Sequence, residues 1–455
     1  MLELMHTLHT TLAFIVAIAL LVFVHEFGHF IVARRLGIRV EKFSIGFGPA
    51  LLSWRSRDRE VEYVIAAIPL GGYVKMLGET PDEQGEEAKA ALSPEERLRA
   101  FDVQPVWKRA SVSVAGPLFN FLFAILAFMV VGWVGQYVTP PVVGVVSPAS
   151  VAEQAGIMAG DRIASVNGHD VRSWTQIEEH LKDAVNSDAT LGIERGGAMT
   201  HVSLHVPPSA KEPLLVNVSE SLVGISPGMR VMVDSVLADS PSAKAGLLSG
   251  DLINQVDGEA VQTVRDFVDA VRSHGGRRMV LNVERKGINL IVPIVPEKTV
   301  DGVGRIGARM AAEPLRPPVL YRMGLIEGVR YGFVRTWDMT VLTLDVMGKM
   351  LTAAISPENL GGPIAIAQLA GRTAELGFAS FCAFLALISV NLGVLNLLPI
   401  PILDGGHLAY LAVEKLRGRP LSLKMMERTQ MVGLTLIVLL MIFAFYNDLS
   451  HLFRG

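Results

Sequence analysis

The chain has 455 residues, a net charge of −3 and 19% charged residues, where soluble domains average about 25%. The near-neutral balance argues against nucleic acid as a partner. A single cysteine, Cys382, excludes an intrachain disulfide framework, and the shortage of charge sits in a few long uncharged runs.

The first such run, Leu4 to Val24, is long enough to cross a bilayer as a helix. It has no basic start and no small-residue cleavage site, so it reads as a span and not as a signal peptide. It leads directly into His25-Glu26-Phe27-Gly28-His29, an HExxH pattern. On a helix, positions i and i+4 share a face, so both imidazoles can reach one metal with Glu26 beside the bound water. Around the loop from Phe43 to Met76 lie two β-prone runs, about Glu41–Ile45 and Val61–Ala66, that predict a hairpin. The acidic stretch Glu79–Glu87 reads as a solvated linker.

A second apolar run follows Arg109 to about Tyr137. Beyond it lies a duplication. Ala155-Gly156, Gly160-Asp161, Asn167-Gly168 and Glu194-Arg195 return 90 residues later as Ala245-Gly246, Gly250-Asp251, Asp257-Gly258 and Glu284-Arg285. Each copy carries short β-like runs, turn dipeptides and one helical segment, Ser173 to Val185 and Thr263 to Ser273. The order Ser-Pro, Ala-Gly, Gly-Asp, Asn/Asp-Gly resembles bacterial PDZ domains. Such domains bind extended peptides or protein C-termini by strand addition, here near Val142 and near Leu222-Val223-Gly224-Ile225. The segment Pro314–Ser356 is amphipathic, with Tyr321, Arg330, Tyr331, Arg335 and Trp337 among apolar residues, and is expected along the membrane interface.

The third run lies between Glu375 and Asp404, and the fourth spans Thr429–Asn447. Basic clusters at Arg34, Arg35, Arg39 and Lys42, at Lys108 and Arg109, and at Lys415, Arg417, Arg419 and Lys424 fall on one side if the N-terminus is outside. That side is the cytoplasm, which places the duplicated region outside it.

A catalytic zinc commonly takes three protein ligands and keeps one position for water. Asp404 is the one acidic residue within the later apolar runs so bounded. It closes Leu395-Asn396-Leu397-Leu398-Pro399-Ile400-Pro401-Ile402-Leu403-Asp404, whose prolines break a helix at membrane depth, where irregular backbone survives only around a cavity or within protein. His407 reads as an interfacial histidine.

These motifs in this order resemble the site-2 protease family of intramembrane zinc metalloproteases. Phe43–Gly48 and Ile68–Met76 look like that family's membrane-dipping hairpin, and Gly116-Pro117-Leu118-Phe119-Asn120 like its second-span motif. The resemblance implies that His25, His29 and Asp404 bind Zn2+, that Glu26 is the base, and that Asn396 contacts substrate. Pro399, Pro401, Gly46, Gly48, Gly71, Gly72 and Tyr73 join it as candidate substrate-binding residues. Implied substrates are single-span membrane proteins, such as anti-sigma factors already trimmed outside, and remnant signal peptides.

The expected fold class is an α-helical polytopic membrane protein of four transmembrane helices, with two inserted PDZ domains and a membrane-associated β-hairpin loop. Residues 1–138 hold the first two spans, 139–221 and 222–312 the PDZ domains, 313–375 the interfacial segment and 376–455 the last two spans. The expected location is the bacterial inner membrane, with the PDZ domains periplasmic and the active site near the cytoplasmic side. Two other readings stay open: a membrane-anchored PDZ adaptor with a structural zinc, and a metal transporter using His and Asp as pathway ligands.

Overall fold

The computed structural model describes residues 2–79, 92–209, 216–261, 263–299, 302–352 and 361–454. Most of the acidic linker, residues 80–87, lies outside them. Residues Met1–Gln136 and Arg322–Gly455 form one compact unit, and Tyr137–Tyr321 a second. Among the described residues, four helices are long and apolar enough to cross a membrane.

The first unit opens with α1, Leu2–Arg35, so the His25–His29 motif lies inside a continuous helix. Gly37, at φ +80°, ends it: Ile38 N–H reaches Ala33 O and Gly37 N–H reaches Arg34 O, satisfying the last carbonyls. Strands β1 (Val40–Arg55) and β2 (Glu62–Met76) follow as an antiparallel pair. Their register is folded: residues 42–45 meet 72–75 on one side and 62–65 on the other, while 50–55 meet 62–66. The expected runs 41–45 and 61–66 are thus adjacent segments of longer strands. Gly46, at φ +91°, allows the fold in β1 and comes so close to the Ile68 carbonyl that a Cβ would lie 2.7 Å away. Phe30 and Ala33 of α1 pack against Val40, Phe43, Val61 and Val74, seating the sheet on the end of the helix.

Helix α2, Val106–Val134, runs beside α1. Helix α3, Leu325–Leu351, then packs back along α2. Trp133 Nε1 donates to Leu325 O at 3.2 Å, and Gly332 lies against Met129 and Ile125 of α2. The part of the amphipathic segment in α3 is therefore packed on a candidate spanning helix, with its Thr336 side chain buried. Helix α4, Pro363–Glu375, packs on α1 through Gly371 and Thr10, and α5, Phe378–Leu397, packs on α2. Helix α6 is Asp404–Arg417 and α7 is Leu423–Arg454.

The candidate span within α7, Lys424–Ser450, takes in Asp448. Asp404 is therefore not the sole acidic residue of the later spans. Asp448 accepts from the backbone N–H groups of Gly362 and Ile364, both at 2.8 Å, and of Ala365, and so satisfies the free amides at the start of α4. The helix continues past the uncharged run, which is why hydropathy alone stops one residue short.

In the second unit the duplication is realised element by element. Strand Arg162–Val166 and helix Trp174–Asp183 reappear as Leu252–Val256 and Val264–Ser273. The marker residues are the reason. Asp161 is buried and accepts from Arg195 through both carboxylate oxygens, at 2.6 and 2.7 Å, and from Met158 N–H at 2.8 Å. Asp251 repeats this with Arg285 and Leu248 N–H. Each arginine also donates to a glycine carbonyl, of Gly156 or Gly246, at 2.7 Å.

Trp174, Ile177 and Leu181 cover the first sheet, and Phe267 and Val271 the second. Val218, Val223 and Ile225 are buried in the first core, and Ile225–Ser226 pairs with Val145–Val146. The expected division at 221/222 thus falls inside the first core, because this stretch is apolar enough to close it. The strand expected near Leu222–Ile225 is already paired on one side, while Val142 makes a bridge to Arg162.

Candidate metal centre

The centre is built where α1 and α2 come close enough to leave no room for a side chain between them. A Cβ on Gly28 would stand 2.4 Å from the carbonyl oxygen of Ala115, so the bare glycine inside the HExxH motif sets the helix separation. One residue on, a Cβ on Gly116 would stand 2.3 Å from His29 Nε2 and 2.7 Å from His25 Cε1. The two imidazoles lie over that glycine.

His25 Nε2 and His29 Nε2 are 3.2 Å apart. Asp404 brings Oδ2 to 3.2 Å from His25 Nε2 and Oδ1 to 3.4 Å from His29 Nε2. Metal–ligand bonds of about 2.0–2.2 Å in a tetrahedron separate ligand atoms by about 3.3–3.6 Å. The observed separations of 3.2–3.4 Å lie close to this range, so the three side chains could hold a single zinc ion after small adjustments. Among the described residues no other group of three His, Cys, Asp or Glu comes together in this way.

The ring orientations agree with this use. His29 Nδ1 lies 2.8 Å from the carbonyl oxygen of Val112, which can only accept. A ring proton is therefore on Nδ1, which leaves Nε2, the nitrogen facing Asp404, as the one available to a metal.

Asp404 reaches the histidines because α5 ends at Leu397 and α6 begins at Asp404 itself. The turn between them packs on three glycines: a Cβ on Gly405 would meet Leu398 O, one on Gly406 would meet Ile400 O, and one on Gly433 would meet Pro401 O. Ile402 is held at φ +90°, a costly conformation for a β-branched residue. Ten residues along α6, Glu414 takes a bidentate ion pair from Arg109 of α2. Arg109 also donates through Nε to Gln104 O at 3.0 Å. The pair ties the helix that starts with Asp404 to the helix that lies under the two histidines.

Glu26 lies beside the ligands on α1 and faces β2, where a Cβ on Gly72 would stand 2.9 Å from its Cγ. Gly71 and Tyr73 flank that contact, and Gly46 and Gly48 lie across the fold of β1. An apolar cavity of about 310 Å³ opens between Phe23, Phe27 and Phe30 of α1 and Phe43, Trp54 and Tyr63 of the sheet. Asn396 sits in the last turn of α5, Pro399 and Pro401 in the turn after it. These three are outside the ligand set, as is His407, whose ring lies edge-on to Tyr410. Sequence reasoning missed Val112, Gly116, Asn120 and the Arg109–Glu414 pair as parts of the centre. The Gly116–Asn120 motif was the one available signal.

The sequence model of Peptidase family M50 matches residues 13–440. The regulator of sigma E protease of Salmonella typhi is 40% identical over 457 residues, covering 97% of this chain and 98% of that one. The regulator of sigma-E protease RseP of Escherichia coli (strain K12) is 41% identical over 452 residues, with the same coverage. A putative zinc metalloprotease of Ralstonia nicotianae is 38% identical over 465 residues, covering 98% of this chain and 99% of its own. A solved PDZ domain of an SdrC-like protein from Listeria monocytogenes aligns at 30% identity over 18% of this chain and 86% of that one, with a TM-score of 0.17. With a family match across most of its length and relatives near 40% identity, the chain belongs to peptidase family M50, the site-2 protease family of zinc-dependent metalloendopeptidases.

Proposed function

We propose that this enzyme cuts the membrane-spanning segments of single-span proteins, within the bilayer of the bacterial inner membrane. The observation that carries the reading is that two of the three candidate ligands, His25 and His29, and the adjacent carboxylate Glu26 lie on a helix long and apolar enough to span, with Asp404 brought to them from α6. Histidine and carboxylate groups at such depth are costly and serve a pathway or a reaction. A structural zinc or a transport pathway would use the ligands but has no use for Glu26 beside them.

Zinc bound at His25, His29 and Asp404 would supply Lewis acidity toward a water and the scissile carbonyl. Glu26 takes the proton from the attacking water and passes it to the leaving amine. No side-chain nucleophile is required. A helical substrate must unwind first, because its carbonyls are engaged in its own hydrogen bonds. The β2 segment 72–75 pairs with 42–45 on one side, and Gly72 on it touches Glu26. An unwound substrate strand added to its other edge would pass the base. Asn396, with an amide that donates and accepts, would hold substrate backbone at the neighbouring turn.

The basic clusters support a topology with the metal end of α1 on the cytoplasmic side and the duplicated modules outside. Those modules are read as a PDZ pair that selects substrates already trimmed outside, such as an anti-sigma factor or a remnant signal peptide. In regulated proteolysis they would serve as the filter and the membrane centre as the blade. Purified enzyme incubated with a single-span substrate, and the products mapped by mass spectrometry, tests this. A cut inside the apolar segment is expected, and cuts confined to the soluble flanks would refute it.

A further inference from the structure

We infer that Asn120 is a positioning residue for the metal centre: its side-chain oxygen accepts the Nδ1 proton of His25 and so keeps Nε2 of that ring free to bind zinc. The inference rests on the reading of His25, His29 and Asp404 as ligands.

Three residues of α2 spaced by four, Val112, Gly116 and Asn120, form a stripe that faces the two histidines spaced by four on α1. Val112 O meets Nδ1 of His29 at 2.8 Å. Gly116 leaves room for both rings. Nδ2 of the Asn120 amide lies 3.1 Å from Nδ1 of His25, across 95 residues of sequence, and turning the amide over brings Oδ1 to that position. The two contacts at the ends of the stripe lie on either side of the glycine in the helix, at 2.8 and 3.1 Å. Each touches Nδ1, and each leaves Nε2 pointing toward Asp404.

Chemistry decides which amide atom faces His25. An NH2 group there would donate to Nδ1 and force the ring proton onto Nε2, the atom that stands 3.2 Å from both His29 Nε2 and Asp404 Oδ2. A protonated Nε2 cannot ligate metal. With the oxygen there, Nδ1–H donates and Nε2 keeps its lone pair. An amide's oxygen and nitrogen are assigned by the partners they meet, and this partner requires the oxygen.

The placement of Asn120 is otherwise hard to account for. It is wholly buried, and Oδ1 of its amide, turned away from His25, has no partner among the described residues. A leucine would fill the space with no unpaired polar atom, so the contact to His25 is what the amide contributes. Ser389 of α5 donates to the backbone carbonyl of Asn120 at 2.8 Å, adding a second tether at this point of α2.

The test is zinc affinity of the purified full-length enzyme, read by competition with a chromophoric chelator. Asn120→Leu removes the acceptor and should weaken zinc binding by about 10–100-fold, the usual loss when a partner of a ligating histidine is removed. Asn120→Asp offers only acceptor oxygens, so it can hold only the assigned tautomer. It should retain native-like affinity and, with cobalt in place of zinc, a native-like visible spectrum. If Asn120→Leu does not fold, Asn120→Asp still decides: a loss of affinity in that variant, with native thermal stability, overturns the inference. Native affinity in Asn120→Leu overturns it as well. His25→Ala is the control on the underlying reading. If that variant keeps native zinc affinity, His25 is not a ligand and the ligand assignment itself fails, whatever the Asn120 variants do.

Discussion

A Cβ added to Gly116 would lie 2.3 Å from Nε2 of His29, closer than any real contact allows. The missing side chain of one helix is thus the space in which the ligands of the other converge. Gly116→Ala should lower zinc affinity by at least about tenfold, on the scale seen when support of a ligating histidine is lost. Cleavage should fall with it. Gly348→Ala, where a Cβ meets nothing within 4 Å, is the matched control and should leave both unchanged. Chelator competition on the two variants checks this.

Glu26 and Asp404 should separate chemistry from binding. Glu26→Gln keeps the three ligands and should hold zinc while losing cleavage by about 10²–10⁴-fold, since the amide cannot take a proton. Asp404→Ala removes a ligand and should lose metal together with activity. Metal analysis of both purified variants, beside their turnover, distinguishes the roles. Full zinc occupancy in Asp404→Ala would place the third ligand elsewhere.

The Arg109–Glu414 pair should matter to the metal although neither residue touches it. Both side chains are mostly buried, 15% and 17% exposed, so removing one leaves an uncompensated charge and costs about 3 kcal/mol. Arg109→Ala and Glu414→Ala should each lower the melting temperature in detergent and weaken zinc binding, by loosening α6 from α2. Their double variant should lose less than the sum of the two. Strict additivity would mean that the pair is not coupled.

In the second unit, Asp161 and Asp251 carry the pH dependence. The Arg195 guanidinium, with Met158 N–H, holds the Asp161 carboxyl below the usual range. Burial pushes the Asp251 carboxyl up, but Arg285 and Leu248 N–H outweigh it, and it too lies low. A depressed folded value means that each pair contributes fully above the unfolded value of about 3.9 and is lost as pH falls through the lower, folded one. Asp161→Asn should destabilise the first module by about 1–2 kcal/mol near neutral pH. The gap to the unmodified enzyme should close on acidification below pH about 4. Hydrogen exchange of strand 187–195 reads it, and a gap that stays constant with pH would refute the assignment.

Much of the centre was legible because its chemistry is local or out of place. His25, Glu26 and His29 declare themselves by spacing, and Asp404 by being acidic at the end of a proline-broken apolar run. The duplication was visible through Asp161, Arg195, Asp251 and Arg285, though not the reason those residues recur, which is a bidentate ion pair across 34 positions. The contacts from Val112 and Asn120 were not legible. One is a backbone carbonyl, invisible to residue type, and the other spans 95 positions. Asp448 and the extent of the first module were missed for a shared reason: hydropathy and repeat offsets mark where apolar runs stop, not where packing continues.

The central claim is that a zinc ion held by α1 and α6 drives the cutting of a spanning segment. Cleavage of a purified single-span substrate would be followed for native enzyme, for enzyme stripped by a chelator, and for stripped enzyme given back one equivalent of zinc. The account predicts that stripping abolishes cleavage, that zinc restores it, and that zinc restores nothing in Glu26→Gln despite binding to it. Cleavage that persists in metal-free enzyme, or that zinc-loaded Glu26→Gln performs at the native rate, would contradict it.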